Sequence, residues 1–372
     1  MDSRRPIKVL MIIPNLRVSN GVTSFVMNYY RNIDHDQIKV DFAVLSHRDS
    51  PYEKEVTELG SKVFVLPSLI KHPFKHISMC KEIIGSGHYD VVHDNSLNQT
   101  IPLMKQAKKA VPVRILHSHS ARLGETGGKE FINKMFVPSL VRTANFLSAC
   151  SSNAGNALFG RKEFKVIPNI IDTDLFRFDN AVRDSVRSRE NAGGKKIIGT
   201  VGRLADLKNP FFAVDVMEEV LRSCSDAEYW WIGSGPLDGK VQEYVAQKNL
   251  SDRIRLFGSR EDTKELYQAM DLFFLPSKSE GFGLACIEAE ASGLPCVVSS
   301  EFPVEVDITG DVTFIPLAKD IKSWADEILR LINKDTDRVH ANEICSRSPF
   351  SVSGSGSILS DYYRECLAVG VG

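Results

Sequence analysis

The sequence predicts an α/β protein made of two doubly wound parallel-sheet domains in tandem. Three observations predict it. Short runs rich in β-branched residues alternate with amphipathic stretches, the pattern of a parallel sheet covered by helices on both faces. The alternation loosens once, near 167–196, and then restarts. The length of 372 residues suits two domains of ordinary size.

In the first half, IKVLMII (7–13) reads as a buried strand, followed by a loop over 14–22 and a helix from about Thr23. VDFAVL (40–45), KVFVL (62–66), DVVH (90–93), VRILH (113–117) and FLSAC (146–150) continue the strand series. The stretch IPNIIDTDLFRFDN, then a charged run and AGGKK, reads as a connection between domains. KIIGTVG (196–202), EYWWIG (228–233), IRLFG (254–258), LFFLP (272–276), PCVVS (295–299) and VTFIP (312–316) are the strands of the second half. SVSGSGS (351–357) reads as a flexible stretch before a final helix, ILSDYYRECL. The expected boundaries are 1–172, a hinge at 173–195, 196–345, and a terminal segment at 346–372. The strand-end loops of both domains are expected to face a shared cleft.

Composition narrows the function classes. Charged residues make up 25% and hydrophobic residues 43%, the balance of a folded globular chain. No apolar run approaches the roughly 18 residues of a membrane span. The apolar run near the N-terminus ends at Pro14 without a small-residue cleavage site, so a strand is expected there and not a signal peptide. Seven scattered cysteines form no C-x-x-C pair and suit a reducing cytoplasm. The net charge of -1 hides an asymmetry: residues 1–172 carry 23 Lys+Arg against 15 Asp+Glu, and the remainder carries 23 against 32. A domain-wide basic excess favours an anionic partner, either a membrane surface or phosphate. The interleaving of aromatic and basic residues that marks nucleic-acid binding is absent, so no nucleic acid is expected.

In a doubly wound sheet, ligands sit at the C-terminal ends of the strands, where loops lead into helix N-termini. Three such loops stand out. In PNLRVSNGVTSF, Gly21 precedes a helix and would let backbone approach a ligand. In GTVGRLADLKNP, Arg203 and Lys208 lie on a strand-to-helix loop; a guanidinium fork and an ammonium suit a diphosphate. In SKSEGFGLACIEAEASGLPCVVSS, Glu280 stands at a loop mouth and Glu288 about one and a half turns inside the following helix. Carboxylates accept hydrogen bonds from diols, so the pair suits sugar and ribose hydroxyls. Glu290, about 200° around the helix from Glu288, should face elsewhere.

These motifs resemble the retaining glycosyltransferases of family 4, which have the GT-B fold of two Rossmann-like domains. SEGFGLACIEAEASGLPCVVSS is similar to the family's E-x7-E signature, and GRLADLKNP to its diphosphate loop. IPNIIDTDLF is similar to its hinge segment, with Ile170 in place of the usual glycine. RILHSHS and ACSSNAGNALFG resemble the bacterial exopolysaccharide and capsule subgroup. The resemblance implies that Arg203 and Lys208 hold the donor diphosphate and stabilise the leaving group. It implies that Glu280 contacts the donor sugar and Glu288 the ribose. The amides of Phe282, Gly283 and Leu284 would donate to sugar or phosphate, and the base would rest near Gly258 and Ser259. His117 matches a family position over the donor sugar. His119, two residues on, would share its side of an extended strand, and either could serve. The terminal DYYRECL would return to the first domain, which would bind the acceptor.

The implied activity is retaining transfer of a sugar from a nucleotide sugar, UDP-linked on family frequency, to a polyprenyl-diphosphate-linked saccharide in exopolysaccharide or capsule assembly. The family is usually discussed in terms of front-face attack. The expected setting is the inner face of a bacterial membrane, with the protein peripherally bound. No metal and no cofactor are expected: Asp34-His35-Asp36 falls in a polar turn and Asp172-Thr173-Asp174 in the hinge, neither on a phosphate loop. Two alternatives stay open, a nucleotide-sugar epimerase of the same fold and a dinucleotide-dependent oxidoreductase or nucleotide-binding module. For the latter, GSGPLDG (233–239) comes closest to a fingerprint, but its third glycine is one residue late.

Overall fold

The computed structural model describes residues 5–17, 21–46, 50–120 and 127–370. The chain forms two compact units. The first holds residues Met1–Ile170 together with Ser355–Gly372, and the second holds Ile171–Gly354.

The first unit is built on a seven-stranded parallel sheet. Its strands are β1 (Ile7–Ile13), β2 (Ile38–Val44), β3 (Val63–Val65), β4 (Val91–Asp94), β5 (Val113–Ser118), β6 (Phe146–Ala149) and β7 (Lys165–Val166). Their spatial order is β3-β2-β1-β4-β5-β6-β7. The central strands are apolar throughout because helices cover both faces, and Val9–Ile13 are nearly inaccessible to solvent. All six strands expected in this half are present. The two-residue β7 was not anticipated, since KV offers too short a run to carry a period.

The second unit repeats the winding with six strands: β8 (Lys196–Val201), β9 (Ala227–Ile232), β10 (Ile254–Gly258), β11 (Leu272–Leu275), β12 (Cys296–Ser299) and β13 (Val312–Ile315). Their order is β10-β9-β8-β11-β12-β13, all parallel. Each sheet therefore reverses its order beside its first strand, between β1 and β4 in one and between β8 and β11 in the other. Such switch points leave a crevice at the strand ends. Trp231, Trp324, Tyr229, Phe274 and Met217 anchor the core of the second unit.

Two expectations about connections are corrected. The segment 173–195 was expected as a linker, but it contains the helix Asn180–Arg189, capped by Asp179, whose carboxylate accepts from the amides of Ala181 and Val182. Its charges are used rather than solvated. Arg183 and Arg187 donate to the carbonyls of Gln268, Ala269 and Met270 at the end of helix Thr263–Ala269, and both pair with Asp271. The serine- and glycine-rich stretch 351–357 is likewise ordered. Ser351 is fully buried and its hydroxyl bonds the Ser346 and Ser348 carbonyls, while Val352–Ser355 form a short helical turn. The helix Ile358–Gly370 belongs to the first unit, burying Leu359, Tyr362, Tyr363, Cys366 and Leu367.

Candidate active site

In the second unit, the expected residues gather on the two loops that flank the switch point. The loop after β8 carries Arg203, which is exposed, and Lys208, which ends the 3-10 turn Asp206–Lys208 before helix Pro210–Ser223. The loop after β11 carries Glu280, almost buried at 8% exposure. The fold brings Lys208 and Glu280 together: Lys208 Nζ lies 2.5 Å from Glu280 Oε1. Ser277, fully buried, donates its hydroxyl to the same Oε1 at 2.6 Å. No described side chain donates to Glu280 Oε2. The loops are joined a second time by Lys278, whose amide donates to Leu207 O and whose ammonium pairs with Asp206.

Gly283 caps the next helix, Leu284–Ala291, with φ of +94°. A Cβ there would lie 2.6 Å from the Phe302 ring, so both the left-handed backbone and the close packing require glycine. The amides of Phe282, Gly283 and Leu284 have no acceptor among the described residues. Three donors therefore gather at the positive end of the helix dipole. The Phe282 side chain turns away and packs edge-on against Phe350, with ring centroids 5.0 Å apart.

Glu288 is the fifth residue of this helix. Tyr267 donates its hydroxyl to Glu288 Oε2 at 3.0 Å, and burial pushes the Glu288 carboxyl up to about 7 against the opposing pull of that bond. Glu290 does face elsewhere: its Oε1 accepts from the amides of Ile308 and Thr309 and from the Thr309 hydroxyl. The two glutamates of the signature thus have separate partners, one a lysine and the other a tyrosine.

Gly258 ends β10 with φ of +67° and bridges Gly233, while the Ser259 amide donates to Ser234 Oγ. Gly233 and Gly235 have a packing reason. A Cβ on Gly233 would lie 2.2 Å from Gly202 O, and one on Gly235 2.3 Å from Leu204 O. Gly233 and Gly235 let this loop press against the loop that carries Arg203.

In the first unit, Gly21 is the first residue of helix Gly21–Tyr30, one position later in role than expected. A Cβ there would meet nothing within 4 Å. The strand β5 runs one residue beyond His117, to Ser118. His117 and His119 do share a side: their rings stack 4.3 Å apart at 4°. Their surroundings differ. His117 is buried, and its Nε2 has no partner among the described residues. His119 is partly exposed, and its Nε2 lies 2.7 Å from Asn95 Oδ1. Phe25 packs edge-on against both rings at 4.8 and 4.7 Å. Beneath them His93 Nε2 meets His117 Nδ1 at 3.1 Å, and His93 Nδ1 meets the Tyr363 hydroxyl at 2.9 Å. Burial holds His93 and His119 down at about 3 and His117 well below the usual imidazole range, so all three are neutral at physiological pH.

Sequence reasoning missed Ser277, Tyr267, His93, Asn95, Phe25 and Tyr363. Ser277 stood inside the quoted motif, three residues before Glu280. The others come from distant segments, and only the folded sheets bring them to their partners.

The Asp-x-Asp triplets serve turns. Asp34 accepts from the amides of Asp36 and Gln37, and Asp172 from the amide of Asp174. No group of three or more His, Cys, Asp or Glu among the described residues is placed to hold a metal ion.

Comparison with known proteins accords with this geometry. Residues 19–175 match the family described as Glycosyltransferase Family 4, and residues 182–345 the one described as Glycosyl transferases group 1. Bacillus subtilis EpsF, described as a glycosyltransferase, is 31% identical over 337 residues, which is 87% of each chain. The chain is a family 4 glycosyltransferase. An Escherichia coli relative, UDP-Gal:alpha-D-GlcNAc-diphosphoundecaprenol alpha-1,3-galactosyltransferase, is 27% identical over 247 residues, 63% of each chain. Among solved structures, Anabaena HepE in complex with UDP and glucose superposes with a TM-score of 0.76 at 17% identity, over 96% of this chain and 99% of the other. That likeness places this glycosyltransferase in the GT-B fold.

Proposed function

We propose that this glycosyltransferase moves a sugar, with retention, from a UDP-sugar to a lipid-linked saccharide in exopolysaccharide or capsule assembly. The observation that carries the reading is the Lys208–Glu280 pair at the switch point, with the exposed Arg203 on the same loop as Lys208. A donor diphosphate takes Lys208 and Arg203 as cations, and the three free amides at Gly283 lie on the same loop. Glu280 then accepts from the sugar hydroxyls. The anomeric carbon–oxygen bond to phosphate breaks, the acceptor oxygen bonds that carbon, and the acceptor proton goes to the leaving phosphate. Preorganised positive charge stabilises the departing diphosphate. Arg203 and Lys208 do this without a divalent cation, so activity persists in chelator. The UDP bound by HepE and the diphosphoundecaprenol acceptor named for the E. coli relative support the choice of nucleotide and acceptor. The rival dinucleotide reading loses its motif, since Gly233 and Gly235 are accounted for by packing.

Membrane contact is part of the proposal. The helix Gly127–Val141 exposes Phe131, Ile132, Met135 and Phe136 along one side, and Ile70 and Phe74 stand out beside Lys71 and Lys75. Apolar side chains on a basic unit suit an anionic lipid surface. No helix among the described residues is long and apolar enough to cross a membrane.

A thermal-shift and donor-hydrolysis screen of UDP, GDP and their sugars tests the core of the reading. A nucleotide at a hundred times its Kd adds about 2.7 kcal/mol of stability. No shift with any nucleoside diphosphate overturns it. Sedimentation with phosphatidylglycerol vesicles tests the membrane part, and Phe131→Ser with Met135→Ser is expected to weaken the binding.

A further inference from the structure

We infer that Tyr363, on the last helix of the chain, fixes the tautomer of His117 through His93, so that His117 presents an Nε2–H donor at the end of β5. The effect on turnover rests on the proposed function; the proton placement does not.

The argument is a proton count along one line of contacts. The Tyr363 hydroxyl is buried, and its hydrogen-bond partner among the described residues is His93 Nδ1, at 2.9 Å. Burial drives the hydroxyl far above its usual range, so it keeps its proton. If His93 donated to Tyr363 instead, two buried groups would be left over, the Tyr363 O–H and a lone pair on His117 Nε2, whereas with Tyr363 donating only the His117 Nε2–H is left. Tyr363 therefore donates to His93 Nδ1. His93 is neutral and fully buried, and with Nδ1 accepting, its own proton sits on Nε2. That N–H points at His117 Nδ1, 3.1 Å away. His117 is neutral too, so its proton sits on Nε2. This nitrogen is buried and lacks a partner among the described residues, the state of a donor held ready for an acceptor oxygen.

The neighbouring ring has the opposite polarity. Asn95 Nδ2 donates to His93 O and Met11 Sδ, which assigns Oδ1 to His119 Nε2–H. His119 Nδ1 is then a lone pair. The stacked rings offer one donor and one acceptor, and neither proton position follows from β5 alone. Tyr363 and His93 are positioning residues.

Nitrogen-15 and carbon-13 spectra of histidine-labelled full-length protein read the tautomers directly. Wild type is expected to show His93 and His117 as neutral Nε2–H forms between about pH 5.5 and 8. Tyr363→Phe removes the first donor, and His117 should become a mixture of tautomers. Turnover of the UDP-sugar should fall about five- to tenfold, the size of one neutral hydrogen bond, with donor KM nearly unchanged. Tyr362→Phe on the same helix should change neither reading. His93→Gln, whose amide can accept from Tyr363 and donate to His117, should keep the Nε2–H form, whereas His93→Leu should lose it. An Nδ1–H His117 in wild type overturns the inference, as does an unaltered His117 in both Tyr363→Phe and His93→Leu. If no donor is turned over, the proposed function fails while the tautomer reading still decides this inference.

Discussion

The two units wind their sheets in the same order yet finish their strand ends in opposite chemistry. The first ends in neutral rings, His93, His117 and His119 with Phe25 against them. The second ends in charge, Lys208 paired to Glu280 and Arg203 on the same loop as Lys208. Winding sets where a site sits, and the side chains at the strand ends set what it binds. The difference also divides the environments. Burial keeps the imidazoles uncharged, whereas in the second unit the nearly buried Glu280 has Lys208 and the Ser277 hydroxyl against it.

The sharpest way to break the comparison is to remove charge from the second unit. Glu280→Gln and Lys208→Ala are each expected to lower kcat by a hundredfold or more, about 2.7 kcal/mol of lost transition-state stabilisation. Steady-state kinetics with a UDP-sugar checks this, and near wild-type turnover in Glu280→Gln removes that residue from the mechanism.

Next in size is a glycine pair. Gly233→Ala places a methyl 2.2 Å from Gly202 O at φ of +133° and should cost about 2 kcal/mol or more. Gly21→Ala meets open space at an ordinary backbone angle and should leave stability within about 1 kcal/mol. Chemical denaturation distinguishes them. A loss of donor affinity in Gly21→Ala without a loss of stability would mean that ligand, not protein, fills the space there.

A third test uses pH. His93, His117 and His119 have folded values far below the ordinary 6.5, so the unfolded chain binds more protons there and stability falls as pH drops below about 6.5. Asp94, raised to about 7 by burial, opposes them, one group against three. In the second unit Glu288 and Glu290 are raised to about 7, so the folded state holds the extra protons. Their contribution is full below about 4.5 and is lost as pH rises toward about 7. Moving from about pH 7.5 to about pH 5 should loosen the first unit and tighten the second. Hydrogen exchange in peptides from β4–β5 and β11–β12 reads the two separately.

The smallest effect is expected at Lys278. Its pairing with Asp206 is largely exposed, and Lys278→Ala should change stability by less than about 1 kcal/mol. A larger loss would show that the tie between the two loops helps hold the Lys208–Glu280 pair.

Much of this was legible in the sequence. All twelve expected strands formed, because buried parallel strands read as continuous apolar runs. The loops bearing Arg203, Lys208 and Glu280 could be located because strand-to-helix loops are local. Their contacts could not. That Lys208 meets Glu280, 72 residues away, depends on β8 lying next to β11, and composition does not encode that adjacency. The helix Asn180–Arg189 was misread because its arginines look solvated until the carbonyls they cap are known. His93 looked like the end of a strand and nothing more until Tyr363 arrived from the far end of the chain.

That arrival has a consequence for how the molecule is made. The second unit is one continuous stretch of chain, whereas the first is closed by its final helix. During synthesis the second unit can finish folding while the first still waits for residues beyond 354. The histidine stack therefore gains the support of Tyr363 only after the whole second unit has been made.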